Sequence, residues 1–330
     1  MSLTNVFAES LRHFRERAGL SQEDLAAASD LDRTYISQLE NSHKSPTLTT
    51  IERLADNLHV APHQLLRSIE ITDRPIAPES YIVSKSEFIH IARGKEILEI
   101  NSDFIVTAIN VAHDLIDEIY ALDLDIAAVL GMRNLSSFIG ELYASAILKV
   151  SGDLFSPNPH QDGYPDLLLM DRFGKRAWDE LAHRAGEKSP FSPFPGGGIE
   201  VKATCGSVPT PAACRKRGLC RPSLGDSRIG CLVGYDWKAH HRETNNLIGV
   251  AWDFVARRPR ISGVFYSHDL TASDWGKIVQ PREGGGRTTS VSIMNQSGLA
   301  KMYSGWRAIL RDGGYSEFFN GRNKGDAISE

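Results

Sequence analysis

Through the first 67 residues apolar positions recur every three or four places, the period of helices that bury one face. Leu11 and Phe14, with Arg15, begin a helix that stops at Ala18-Gly19, glycine being free to take the conformation that ends a helix. Ser21 opens the next, Ser-Gln-Glu-Asp-Leu-Ala, and caps it with Asp24 at the third helical position. Asp32 caps a third helix, in which Ile36 and Leu39 turn inward and Thr34, Tyr35, Ser37 and Gln38 stay outside. Ser45-Pro46-Thr47 breaks the chain before a fourth, carrying Leu48, Ile51, Leu54 and Leu58. Residues 68–84, with Pro75, Pro78, Ser80 and Ser84, read as a linker.

Beyond it, Phe88, Ile91 and Ile97, then Phe104 to Ile119, predict two or three amphipathic helices across 87–130 that cover a core or form a dimer surface. Leu135, Phe138, Ile139, Leu142, Ala146 and Ile147 make the stripe of another, around 133–148. The pattern then changes. Gly-Tyr-Pro-Asp-Leu-Leu-Leu-Met from 163 and Gly-Gly-Gly-Ile-Glu-Val-Lys-Ala-Thr from 196 are short apolar runs bounded by Gly or Pro, as in buried strands. A helix near 175–185 and a Pro/Gly-rich loop fill the gap, where the glycines would let a DNA backbone approach closely. Arg228–Trp237 and Asn246–Phe254, separated by polar Lys238–Asn245, predict a hairpin. Ile261–Tyr266 predicts a strand, 284–286 a turn, 288–294 a further strand, and Ser297–Leu310 a last helix. The expected organisation is an all-α bundle over 1–67, the linker 68–84, and an α/β domain over 85–330.

A hydrophobic content of 41% and a charged content of 24% are ordinary for a globular protein. There is no basic stretch followed by an apolar core at the start, and no apolar run long enough to span a membrane, so a cytoplasmic location is expected. The net charge of −4 conceals an asymmetry. Residues 68–171 hold 6 Lys+Arg against 17 Asp+Glu, whereas 172–228 hold 11 against 5 and 238–330 hold 13 against 9. A basic second half suits a DNA-facing side, although a solvated surface of mixed charge gives the same count.

Arg17-Ala18-Gly19-Leu20-Ser21-Gln22-Glu23-Asp24-Leu25-Ala26, Tyr35-Ile36-Ser37-Gln38-Leu39-Glu40-Asn41 and Pro46-Thr47-Leu48 resemble the Xre/Cro repressor family. The resemblance covers about a fifth of the chain and implies a helix-turn-helix with residues 32–41 as recognition helix. Gln22, Arg33, Thr34, Ser37 and Gln38 become the expected DNA contacts. Residues 1–67 hold only 7 Lys+Arg against 9 Asp+Glu, so phosphate attraction is weak and binding should be modest and salt-sensitive.

Asp166 opens the first strand of the 163–204 stretch, and Glu200 and Lys202, two apart, share one face of the second. Charges on strands this apolar need partners or a bound ion. Pro165-Asp166 and Glu200-Val201-Lys202 resemble the PD-(D/E)xK nuclease family, which implies a restriction-endonuclease-like α/β core with a mixed sheet. The resemblance also implies Mg²⁺ held by Asp166, Glu200 and the main-chain carbonyl of Val201, with Lys202 near the attacked phosphate. By the same analogy Glu141, on the helix before the first strand, lends a third carboxylate; Asp153 is the alternate. His160, Gln161 and Asp162 lie just upstream, and Gln161 or Asp162 is read as reaching the metal's waters or the DNA backbone, or else as ordinary loop polarity. The two phrases look like the ApaLI-like group of Type II restriction enzymes, which implies a homodimer on double-stranded DNA and a cognate DNA methyltransferase.

Arg215, Lys216, Arg217 and Arg221 form the densest basic run, placed where a nuclease would grip substrate. Among them stand Cys205, Cys214, Cys220 and Cys231, with His240 and His241 beyond. These spacings lack a Cys-x2-Cys knuckle, so separate thiols are expected before a structural Zn²⁺ site. The sequence thus predicts a Mg²⁺-dependent site-specific endonuclease. The rivals are a repair nuclease and an Xre-type transcriptional regulator with a ligand-sensing second domain.

Overall fold

Capping side chains set the helix boundaries of the first unit in the computed structural model, which describes residues 3–60, 62–66, 81–122, 124–239, 244–279, 291–311, 314–323 and 328. The chain divides into two units, Met1–Arg74 and Pro75–Glu330. In the first, α1 (Leu3–Arg17) is followed by Gly19 at φ +68°. Helix α2 (Gln22–Ala28) starts in a reciprocal cap, with Asp24 N donating to Ser21 Oγ at 3.1 Å and Ser21 N to the Asp24 carboxylate at 3.0 Å. Asp32 caps α3 (Arg33–Glu40), Thr47 caps α4 (Leu48–Leu58), and a 3-10 turn at Pro62–Leu66 closes the unit. Phe7, Leu11, Leu25, Ile36, Leu39, Leu54, Leu58 and Leu65 form its core. Leu48, one of the apolar positions of α4, is 77% exposed, because it is the first residue of the helix and precedes the buried stripe that starts at Ile51.

The second unit begins with β1 (Tyr81–Val83), a strand within the expected linker, whose residues 68–80 lie outside the described ones. Next come β2 (Phe88–Arg93) and β3 (Glu96–Asn101), an antiparallel hairpin turning at Gly94, φ +61°. This corrects the helical expectation there: Ile89 and Ile91 are buried two apart, the period of a strand. Helices α5 (Asp103–Tyr120) and α6 (Ile126–Val150, interrupted at Gly131) pack on each other. Strands β4 (Phe155–Pro157) and β5 (Leu167–Leu169) are followed by α7 (Arg172–Leu181), β6 (Gly198–Thr204) and α8 (Pro211–Lys216). Then come β7 (Lys238–Ala239), β8 (Leu247–Val255), β9 (Arg258–Ser267), β10 (Ser292–Ile293), α9 (Gln296–Ser304), β11 (Trp306–Leu310) and α10 (Tyr315–Asn320).

Seven strands form one mixed sheet in the order β1-β11-β9-β8-β6-β5-β4. All neighbours are antiparallel except β6 and β8, which run parallel with Glu200 opposite Leu247 and Lys202 opposite Gly249. Strands β8 and β9 are buried along nearly their whole length, so this pair is the centre of the core. Helix α6 packs on β6, and α5 on β9 and β11.

Two further expectations are corrected. Arg228–Trp237 does not pair with β8. It forms a 3-10 turn at Ile229–Cys231 and a single bridge from Gly234 to Ser207, because β6 and β9 already occupy both edges of β8. Ser297–Leu310 is not one helix, since the chain leaves α9 at Gly305 and enters β11. A Cβ at Gly305 would lie 1.8 Å from the carbonyl oxygen of Tyr266, a fit that demands glycine. Gly198, the first residue of β6, serves strand pairing within the protein: a Cβ there would meet the oxygen of Leu167 at 1.9 Å. The turn expected at 284–286 and residues 288–290 lie outside the described residues.

Candidate functional site

Antiparallel pairing of Leu167 with Ile199 brings the start of β5 beside the middle of β6. Asp166 therefore lies next to Glu200 and Lys202. Lys202 Nζ is 2.6 Å from Glu200 Oε1 and 3.3 Å from Asp166 Oδ2. The main chain ties the same groups, with Val201 N donating to Asp166 Oδ2 at 2.8 Å and Asp166 N to Glu200 Oε2 at 3.2 Å. Glu200 is 5% exposed. Burial pushes its carboxyl above the ordinary carboxylate range; Lys202 pulls it back, and Asp166 adds to the rise. Lys202 is held cationic, the two carboxylates outweighing the desolvation of its ammonium group.

Asp166 and Lys202 line a cavity of about 490 Å³ between α6 and β6, together with Val201, Thr204 and Gly206, while Glu200 stays buried beside them. Ser136, Ser137, Gly140 and Glu141 come from α6, so the expected third carboxylate does join the cavity. Partial burial and the charge of Asp166 hold the Glu141 carboxyl above its ordinary range, against the pull of Lys202. Three carboxyl groups, of Asp166, Glu200 and Glu141, thus lie near one lysine, and burial opposes the ionisation of the two glutamates. Among the described residues no three His, Cys, Asp or Glu side chains converge as a finished metal cage. The residues still fit a divalent cation in kind, being hard oxygen donors, with Lys202 paired to two of them.

Asp153, His160, Gln161 and Asp162 do not line the cavity; Asp162 N donates to His160 Nδ1 at 3.1 Å within its own loop. Arg215, Lys216, Arg217 and Arg221 are exposed on the last turn of α8 and the loop after it, and they too stay off the cavity wall. Cys205, Cys214, Cys220 and Cys231 are free thiols, and His240 and His241 lie outside the described residues. Asp236 and Lys238 complete the cavity. They were missed because they fall at the edge of a run read as a strand, although Asp-Trp-Lys carries the polar-apolar-polar alternation that places two charges on one side.

In the first unit, Arg33 and Thr34 are exposed at the start of α3, with Ser37 and Gln38 half-buried along it. Gln22 is engaged inside the unit, its Nε2 donating to Glu40 Oε2 at 2.8 Å. Glu40, 4% exposed, also takes two bonds from Arg15, Nε to Oε1 at 2.5 Å and Nη2 to Oε2 at 3.0 Å. This buried network ties α1, α2 and the end of α3 together, so α3 is presented on a fixed frame.

Residues 11–65 match the family model described as helix-turn-helix. A hypothetical transcription factor of Neisseria meningitidis is 45% identical over 64 residues, 19% of this chain and 60% of that protein. The control protein C.SmaI of Serratia marcescens is 39% identical over 66 residues, 20% of this chain and 79% of that protein. The crystal structure of the restriction-modification controller protein C.AhdI from Aeromonas hydrophila shares 39% identity, covering 19% of this chain and 94% of that one, with a TM-score of 0.19. Each likeness lies in the first unit.

Proposed function

For a chain that belongs, over residues 11–65, to the helix-turn-helix family, we propose a DNA-binding protein of two parts, a controller-like reader and a Mg²⁺-dependent nuclease of the Type II restriction kind. The reader binds duplex DNA by laying α3 in the major groove, where Arg33, Thr34, Ser37 and Gln38 reach base edges and phosphates. Gln22 acts from behind as a brace on Glu40.

The nuclease reading is carried by one observation: Asp166, Glu200 and Lys202 meet at adjacent strands, beside a cavity that Asp166, Lys202 and Glu141 line. Asp166, Glu200 and the Val201 carbonyl would hold the ion, with Glu141 beside them. The ion supplies Lewis acidity toward a phosphate oxygen and a more acidic water. Lys202, kept protonated by its two carboxylates, donates to the phosphate oxygens as negative charge grows on them during in-line attack. The exposed Arg215–Arg221 run would follow the flanking backbone. Cutting both strands calls for two such sites, hence a homodimer, and a site-specific cutter calls for a methyltransferase that shields the cell's own DNA.

A second reading has its own support. The relatives of the first unit include control proteins and a transcriptional regulator, and Lys202 already closes Asp166 and Glu200 into ion pairs. On this reading the chain regulates transcription and its second unit cuts nothing. Supercoiled plasmid incubated with the full chain and Mg²⁺, with and without chelator, separates the two. Nicked or linear product that the chelator prevents favours the nuclease, and intact plasmid in both favours the regulator.

A further inference from the structure

The same cavity holds a second charged pair. Asp236 and Lys238 line it, joined by a 3.3 Å ion pair, with side chains 30% and 51% exposed respectively. Between them Trp237 points the other way and is 1% exposed. It packs so tightly on β8 that a Cβ at Gly249 would lie 2.6 Å from its ring. Its carbonyl also accepts from Met294 N at 3.1 Å. On the next residues the ribbon of β7 and β10 pairs Lys238 with Ile293 and Ala239 with Ser292, and Val291, leading into that ribbon, lines the cavity as well. The two charged side chains are thus set by a buried anchor and a paired strand, in the same cavity as Asp166 and Lys202.

We propose that Asp236 and Lys238 read a base edge beside the scissile phosphate, with adenine as the preferred base. This rests on the nuclease reading of the same cavity. A lysine meant for phosphate works as a bare positive charge, whereas Lys238 is neutralised by its partner and offers a donor beside an acceptor. That arrangement complements the major-groove edge of adenine, whose N7 accepts and whose N6 amino group donates. Guanine presents two acceptors there, N7 and O6, and one of them would face the carboxylate of Asp236. A two-stranded ribbon is also an element that the major groove admits.

The test is cleavage of a randomised duplex library by the full chain in Mg²⁺, with the ends sequenced, for the wild type, Asp236→Asn and Lys238→Met. The expected result is loss of an adenine preference at one position near the cut, by roughly tenfold, the other positions being unchanged. Should a substitution also slow cutting, selection of bound duplexes in an Asp166→Ala background, with and without Lys238→Met, reads the same preference without turnover. Variants that keep every base preference, or that relax a position where adenine was not preferred, overturn the inference while the nuclease reading stands. A wild type that cuts nothing removes both.

Discussion

Glu200 concentrates the chemistry of the second unit in one buried carboxyl. Its folded-state pKa is raised by burial against the pull of Lys202, so ionising it opposes folding. The cost is absent below the ordinary carboxylate range, grows as pH rises through it, and is complete above the raised value. A cation bound to the ionised form removes that cost, and protons compete with it at low pH. Mg²⁺ should therefore raise the melting temperature more at pH 8 than at pH 5, and the difference should shrink in Glu200→Gln. A scanning calorimeter checks this; an equal Mg²⁺ effect at both pH values would place the ion elsewhere. That Glu200 and Lys202 share one side was legible in the sequence, because a strand's period of two puts them there whatever the surrounding fold; Asp166 was joined to them only by the resemblance of Pro165-Asp166. Gln22 was not legible as a brace, since its partner Glu40 stands 18 residues away and meets it only once α2 and α3 have packed.

Among the strands, β5 and β6 matter most, because their register alone brings Asp166 to Glu200. Gly198, at φ +152°, lets the two backbones close, and a side chain there would strike the Leu167 carbonyl. Gly198→Ala should cost about 3 kcal/mol or more by combining strain with overpacking, seen as a lower midpoint in urea. Cleavage should fall further than stability explains, since Asp166 shifts away from Glu200. The short apolar runs at β5 and β6 could be read as strands from composition and flanking glycine. The hairpin β2–β3 was hidden because Phe88 and Ile91, three apart, satisfy a helical spacing, although Ile97 would fall on the opposite side of such a helix. Strand β11 was hidden for a different reason. It follows α9 with only Gly305 between, and its place between β1 and β9 is a long-range pairing that no local pattern carries.

The two units divide the chain at Arg74 and Pro75, so the boundary expected near Ser84 falls inside the second. A fragment starting at Ser84 would lack β1, whose Tyr81 hydroxyl donates to the Ile261 carbonyl at 2.6 Å. One starting at Pro75 keeps it and should fold and retain Mg²⁺ binding. In the full chain, Ser37→Ala with Gln38→Ala should weaken operator-like DNA binding by about 1–3 kcal/mol for each base-reading side chain removed, measured at fixed salt, with the Mg²⁺ response unchanged. The helix-turn-helix was legible almost to the residue, since its capping signals are local. Among the described residues no helix is long and apolar enough to cross a membrane. That two units share one chain makes sense if one finds DNA and the other cuts it. The most direct measurement compares wild type and Asp166→Ala on plasmid in Mg²⁺, with gel-shift binding run on the same preparations. The account requires that the wild type cut and the variant not cut, while both bind DNA with equal affinity. A variant that cuts at the wild-type rate, or a wild type that binds and leaves the plasmid intact, would contradict it.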